Sequence, residues 1–315
     1  MRRRIATRLE HLRRELFLER GHDPSRAALV LGSGRSGTTW LAEALARQHR
    51  SRLVFEPFHP QLGAMGEDAR LFLDPAERPP AFERAARRVL SGRARGPYID
   101  HLRTARLPRG RVVKDVHASN LLAWFRANHP AVPVVYVVRH PVAASLSRLR
   151  SDVFYGLGDY LETRSGREDA ERSPVAGWLP RYDAWREHPE PLVRLVAEWC
   201  IENAYPLERR ADSGVALTFY ERAVQDPTSE LARLGELCAG ALGPAGAAPE
   251  LGQLRRPSAM DWRGTAAGAS ASDDWARHLG RWADEVAPAL VEQCLRVLSE
   301  FDLDWLYGED PLPKA

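Results

Sequence analysis

Leu29 to Trp40, LVLGSGRSGTTW, is the stretch that decides the fold. An apolar run ends in Gly32, Ser33 and Gly34, and a lone arginine, Arg35, precedes Ser36, Gly37, Thr38 and Thr39. The run suits a strand buried on both faces, and the small residues after it suit a tight turn whose N–H groups point inward. A helix is expected over 36–48, with Leu41, Ala44 and Leu45 as its inner stripe. Its first turn would present unpaired N–H donors and a partial positive charge, which fits an anion. The spacing from Gly32 to Gly37 is that of a nucleotide-binding P-loop, but Thr38 stands where that motif needs lysine. A phosphorylated guest is expected, other than ATP held through its β and γ phosphates.

Working outward, a strand at 53–55 leaves through Glu56, Pro57, Phe58 and His59. In parallel α/β folds ligands sit beyond the carboxyl ends of strands, so Glu56 and His59 stand where chemistry is done. A third strand, 111–116, carries Lys114 and Asp115 and is followed by His117, and a helix is expected over 118–128. Residues 134–138, VVYVV, form the clearest central strand, ended by Arg139, His140 and Pro141. A helix over 142–150 then places Ser147 eight residues after Arg139, and both can reach one anion. A long helix at 192–210, a fifth strand at 215–220, and helices at 228–238, 275–281 and 284–301 follow. Between these lie two stretches of weak periodicity, about 59–108 and 151–191, read as irregular cover over the active face. A basic stretch at 254–268 reads as a loop able to fold over a ligand.

Composition bounds the rest. The chain has 315 residues, 44% of them hydrophobic, enough for a substantial core. Its net charge is +3, and only Lys114 and Lys314 among the 45 cationic side chains are lysine, a bias that does not suggest nucleic-acid binding. Cys200, Cys238 and Cys294 are widely spaced with no CxxC pattern, which implies neither a disulfide framework nor a zinc site but a reducing, cytoplasmic setting. No run approaches the roughly 18 apolar residues of a membrane span. Residues 1–21 read as a basic amphipathic helix that packs on the body or on a second subunit, with an anionic membrane surface as the alternative; a homodimer is left open. A single domain is expected over 22–308, with a short tail at 309–315.

Three separated stretches resemble the sulfotransferase family, which uses 3′-phosphoadenosine-5′-phosphosulfate (PAPS). GSGRSGTTWL at 32–41 is similar to its 5′-phosphosulfate loop. VVYVVRHPVAASLS at 134–147 is similar to its 3′-phosphate motif, and VALTFYERAVQDP at 215–227 to its late strand. RRPSAMDWRG at 255–264 is a looser counterpart of its PAPS-covering loop. The resemblance implies an α/β, P-loop-like three-layer fold around a mainly parallel five-stranded sheet, without a metal. It implies that Gly34, Arg35, Ser36, Gly37, Thr38 and Thr39 hold the 5′-phosphosulfate, and that Trp40 and Tyr220 contact the adenine. Arg139 and Ser147 would bind the 3′-phosphate, with Arg256 and Arg263 joining from the late loop. Arg35 stands where the family often has lysine; its guanidinium keeps its proton, so its role is charge stabilisation.

For the base that a hydroxyl acceptor needs, two patterns compete. FEPF at 55–58 resembles members with a glutamate after the second strand, which favours Glu56. Lys114 and His117 resemble members with a histidine base, but at Lys-x-x-His spacing instead of Lys-x-His; His59 is the third candidate. The acceptor would be a hydroxyl or amine of a small molecule, carbohydrate or natural product. The rival readings are a P-loop kinase or NTPase, against which Thr38 argues, and a binding protein that keeps the fold without transfer.

Overall fold

The computed structural model describes residues 21–102, 104–105, 107–151, 156–246 and 275–314. The expected N-terminal helix and the late loop with Arg256 and Arg263 lie outside the described residues. Five strands, β1 (Ala27–Gly32), β2 (Arg52–Phe55), β3 (Arg111–Asp115), β4 (Val134–Val138) and β5 (Val215–Phe219), form one sheet in the order β2-β3-β1-β4-β5. All four pairings are parallel.

β1 to β4 are buried at every residue, which explains the continuous apolar runs of β1 and β4. Alternation still sorts side chains between two layers. Ala28, Val30, Val112, Val135 and Val137 pack with α1 (Thr38–Gln48) and, further along the chain, α10 (Pro227–Leu242). Leu29, Leu31, Val113, Val134, Tyr136 and Val138 face the larger core. That core takes in α2 (Pro80–Leu90), α3 (Leu122–Asn128), α4 (Pro141–Leu149), α8 (Pro191–Glu208) and α12 (Pro288–Glu300). Helices thus cover both faces, giving the three-layer α/β architecture expected. α9 (Tyr220–Gln225) follows β5 directly, so Tyr220 opens a helix instead of ending a strand. α11 is Trp275–Glu285.

Two expectations of local structure change. The helix after β3 is delayed: a 3₁₀ turn, Ser119–Leu121, comes first. The buried Asp115 carboxylate accepts the N–H groups of His117 (2.8 Å) and Ala118 (3.2 Å), holding the chain in a turn where a helix would otherwise start. The described part of the stretch 151–191 is not irregular. It carries α5 (Leu157–Leu161), α6 (Arg164–Glu171), a 3₁₀ turn at Pro174–Trp178 and α7 (Leu179–Trp185). Side-chain caps define these short pieces: Asp159 bonds the Gly156 N–H, Thr163 takes the Gly166 N–H and Ser173 takes the Val175 N–H. Residues 309–314 fold back on the body, the Lys314 N–H bonding the Leu306 carbonyl at 2.9 Å.

Candidate active site

The candidate residues gather at the carboxyl edge of the sheet because every strand there is parallel. The central turn leaves β1 with Gly32 and Gly37 in left-handed territory (φ 148° and 83°). Neither position has room for a side chain. A Cβ on Gly32 would lie 2.3 Å from the Val137 carbonyl oxygen, and one on Gly37 would lie 2.3 Å from the Tyr220 ring. Arg35 also has positive φ, 66°, so the strain sits at the tip of the turn and presents its exposed side chain.

Arginines engage both carbonyls at that tip. Arg139 Nη1 donates to the Arg35 carbonyl at 3.0 Å, and Arg148 Nε donates to the Gly34 carbonyl at 3.2 Å. The Arg35 Nε donates to Ser147 Oγ at 2.9 Å. Loop, Arg139 and Ser147 are therefore one cluster. The Arg139 guanidinium lies 4.6 Å from the centre of the Tyr220 ring, and Trp40 meets Tyr220 edge to face at 6.4 Å. Ser33 and Ser36, both buried, share a hydroxyl contact of 2.7 Å. Sequence reasoning missed two members of this cluster. His278 of α11 reaches the Tyr220 hydroxyl with Nε2 at 3.2 Å, and Arg148 lies beneath the turn; neither belongs to a recognisable motif.

The second cluster stands at the ends of β2 and β3, where the register pairs Phe55 with Lys114. Glu56 follows at φ 40°, its N–H bonded to the Lys114 carbonyl at 2.7 Å. Lys114 Nζ bonds Glu56 Oε1, the Tyr98 hydroxyl donates to Oε2 at 2.7 Å, and His117 Nε2 lies 3.9 Å from Oε2. Tyr98 is thus an added functional candidate, one of the aromatics of the first covering stretch. Phe72 and Phe82 from the same stretch, and Phe58 just before it, are core residues. Burial pushes the Glu56 carboxyl up, but the neighbouring Lys114 and His117 charges and two hydrogen bonds outweigh it, bringing the pKa to about 2. Burial drives His117 down to about 3, against the pull of Glu56. Asp115 is raised to about 7 by burial and the nearby Glu56 charge.

His59 reads as a donor. Its Nδ1 accepts the N–H groups of Gln61 (3.1 Å) and Leu62 (3.2 Å), which leaves the proton on Nε2. Its ring meets that of His117 at 4.5 Å.

A tight turn of P-loop-like spacing, the cationic and hydroxyl side chains beside it and a carboxylate at the ends of β2 and β3 thus stand together at one edge of the sheet. The model of the sulfotransferase family matches residues 28–240, so the chain belongs to the sulfotransferase family. Among solved structures, a sulfotransferase from Alicyclobacillus acidocaldarius aligns at 15% identity over 87% of this chain and 91% of that one, with a TM-score of 0.39. Mouse sulfotransferase SULT7A1 complexed with PAP aligns at 15% identity over 91% and 86%, with a TM-score of 0.41. The sulfotransferase domain from the curacin biosynthetic pathway aligns at 14% over 88% and 97%, with a TM-score of 0.40. Comparison with curated protein sequences returns no match. No helix among the described residues is long and apolar enough to cross a membrane.

Proposed function

We propose that this sulfotransferase uses PAPS and moves its sulfuryl group to a hydroxyl or amine of a small-molecule, carbohydrate or natural-product acceptor, with Glu56 as general base. The carrying observation is the Glu56 carboxylate, held by Lys114 and Tyr98 at the strand ends next to the anion-binding turn. The donor set fits a doubly phosphorylated nucleotide. Arg35, Ser36, Thr38 and Thr39 lie on the turn, Arg139 and Ser147 beside it, and none of them is acidic. Bound PAPS supplies the sulfuryl group, which leaves adenosine 3′,5′-bisphosphate on transfer.

In this reading the turn's N–H groups and Arg35 hold the 5′-phosphate end, Arg139 and Ser147 the 3′-phosphate, and Trp40 and Tyr220 the base; Arg256 and Arg263 join from the late loop. Ser147 and the 5′-phosphate end then compete for the Arg35 guanidinium. Lys114 releases Glu56 by turning its ammonium toward charge that develops on the leaving group. Burial then acts on Glu56 with less opposition, its basicity rises, and it takes the acceptor proton. His117, held down by burial itself, gains no comparable basicity.

Calorimetry tests the donor. Adenosine 3′,5′-bisphosphate should bind tighter than AMP by about tenfold or more, worth about 1.4 kcal/mol. Tighter, magnesium-dependent ATP binding would overturn the assignment in favour of a kinase or NTPase. An acceptor screen with PAPS, following the bisphosphate product, tests the transfer itself.

A further inference from the structure

Arg148 is buried beneath the phosphate loop, and the mechanism above leaves it without a task. Its Nε donates to the Gly34 carbonyl, and its Nη2 bonds Glu202 on α8. Nη1 stands 3.7 Å from Glu198, one helical turn earlier on α8, an ion-pair distance too long for a hydrogen bond. Because the peptide unit is planar, a Gly34 carbonyl turned to Arg148 points the Arg35 N–H the other way, toward the anion side of the turn.

The far end of the network reaches the cover. Burial raises both carboxyls, Glu202 to about 7, and backbone N–H groups in the first turn of α5 oppose that rise. Gly158 and Leu157 do so for Glu198, and Leu157 for Glu202. The fit is tight, since a Cβ on Gly158 would stand 2.9 Å from Glu198 Oε2 and 3.1 Å from the Tyr182 hydroxyl. Beside it, a cavity of about 10 Å³, the size of one water, is lined by Glu202, Leu157 and His117, so the network also borders the Glu56 cluster.

We propose that Arg148 is a positioning residue that, with Glu198 and Glu202, couples occupancy of the phosphate loop to the first turn of α5. Nucleotide on the loop draws the Gly34 peptide into one orientation. The Arg148 fork follows and closes on Glu198, and Leu157 and Gly158 are fixed by the same carboxylates. The inference rests on the nucleotide reading above, and linkage makes it reciprocal: whatever orders α5 tightens nucleotide binding.

Hydrogen exchange on the full chain, with and without adenosine 3′,5′-bisphosphate, tests it. In the wild type the ligand should slow exchange in residues 32–40 and, by about tenfold, in residues 156–161. Glu202→Gln and Glu198→Gln keep the shape and remove the charge; they should retain loop protection and lose the α5 response. Arg148→Lys, a point charge without a fork, should lose the response and bind the bisphosphate about tenfold more weakly. Protection of 32–40 with no change at 156–161 in the wild type overturns the coupling while leaving the nucleotide reading intact, and so does an unaltered response in both glutamine variants. No protection at 32–40 removes the nucleotide reading and this inference with it.

Discussion

Glu56 is set by opposed forces, burial on one side and its charged and hydrogen-bonded neighbours on the other, and that opposition makes it testable. Its ion pair with Lys114 lowers a carboxyl that burial alone would raise. A depressed carboxyl contributes stability that is present above the ordinary value of 4.5 and is lost as pH falls toward 2. Glu56→Gln should keep the bisphosphate affinity and lose turnover by about 10²- to 10⁴-fold, the range of general-base catalysis. Turnover within a few fold of wild type would transfer the role to His117. Lys114→Met removes the largest depressing charge, so the acid limb of the kcat/KM profile should move up past 4.5, where burial is opposed only by His117 and the Tyr98 hydrogen bond. A limb that stays below that value would show that Lys114 does not control the carboxyl.

Among elements, the turn after β1 was readable because chemistry and conformation demand the same residues there. A run of buried apolar residues, then small ones, then helix, leaves few alternatives. The short helices of the cover were not readable. α5, α6 and α7 exist through single caps at Asp159 and Thr163 and a 3₁₀ turn at Ser173, and a periodicity search sees none of these. Tyr98 and Arg148 were hidden for a related reason: their partners, Glu56 and Gly34, are 42 and 114 residues away in the chain. Two glycines test this, Gly37 in the turn and Gly240 in α10 as its contrast. Gly37→Ala puts a methyl into the Tyr220 ring at a left-handed position, costing about 1–2 kcal/mol and about tenfold in bisphosphate affinity. Gly240→Ala, exposed within α10 with nothing within 4 Å, should instead stabilise the fold by up to about 1 kcal/mol. Calorimetry and thermal melts read both.

For the whole molecule, the site edge is tied to the end of the chain by a buried knot. Glu221 accepts the His140 N–H at 2.9 Å with one oxygen and the Tyr307 hydroxyl at 2.9 Å with the other. The His140 ring stacks on Trp282 of α11 at 4.2 Å, and its Nε2 lies 3.0 Å from the Gly308 carbonyl, so that nitrogen carries the proton. Arg139, proposed above to bind the 3′-phosphate, is thereby followed immediately by the residue that fastens the C-terminal segment. Burial brings His140 down to about 4 from 6.5. Below 6.5 the unfolded chain takes up a proton that the folded one refuses, so wild-type stability from this group is lost as pH falls from 6.5 through 4. The full loss is about 3 kcal/mol at about 1.4 kcal/mol per unit. His140→Gln does not titrate and keeps a donor for Gly308. The stability advantage of wild type over His140→Gln should therefore shrink by up to that amount between pH 7 and pH 4, in urea melts at each pH. An advantage that stays constant across that range would mean that His140 is not held neutral by its burial.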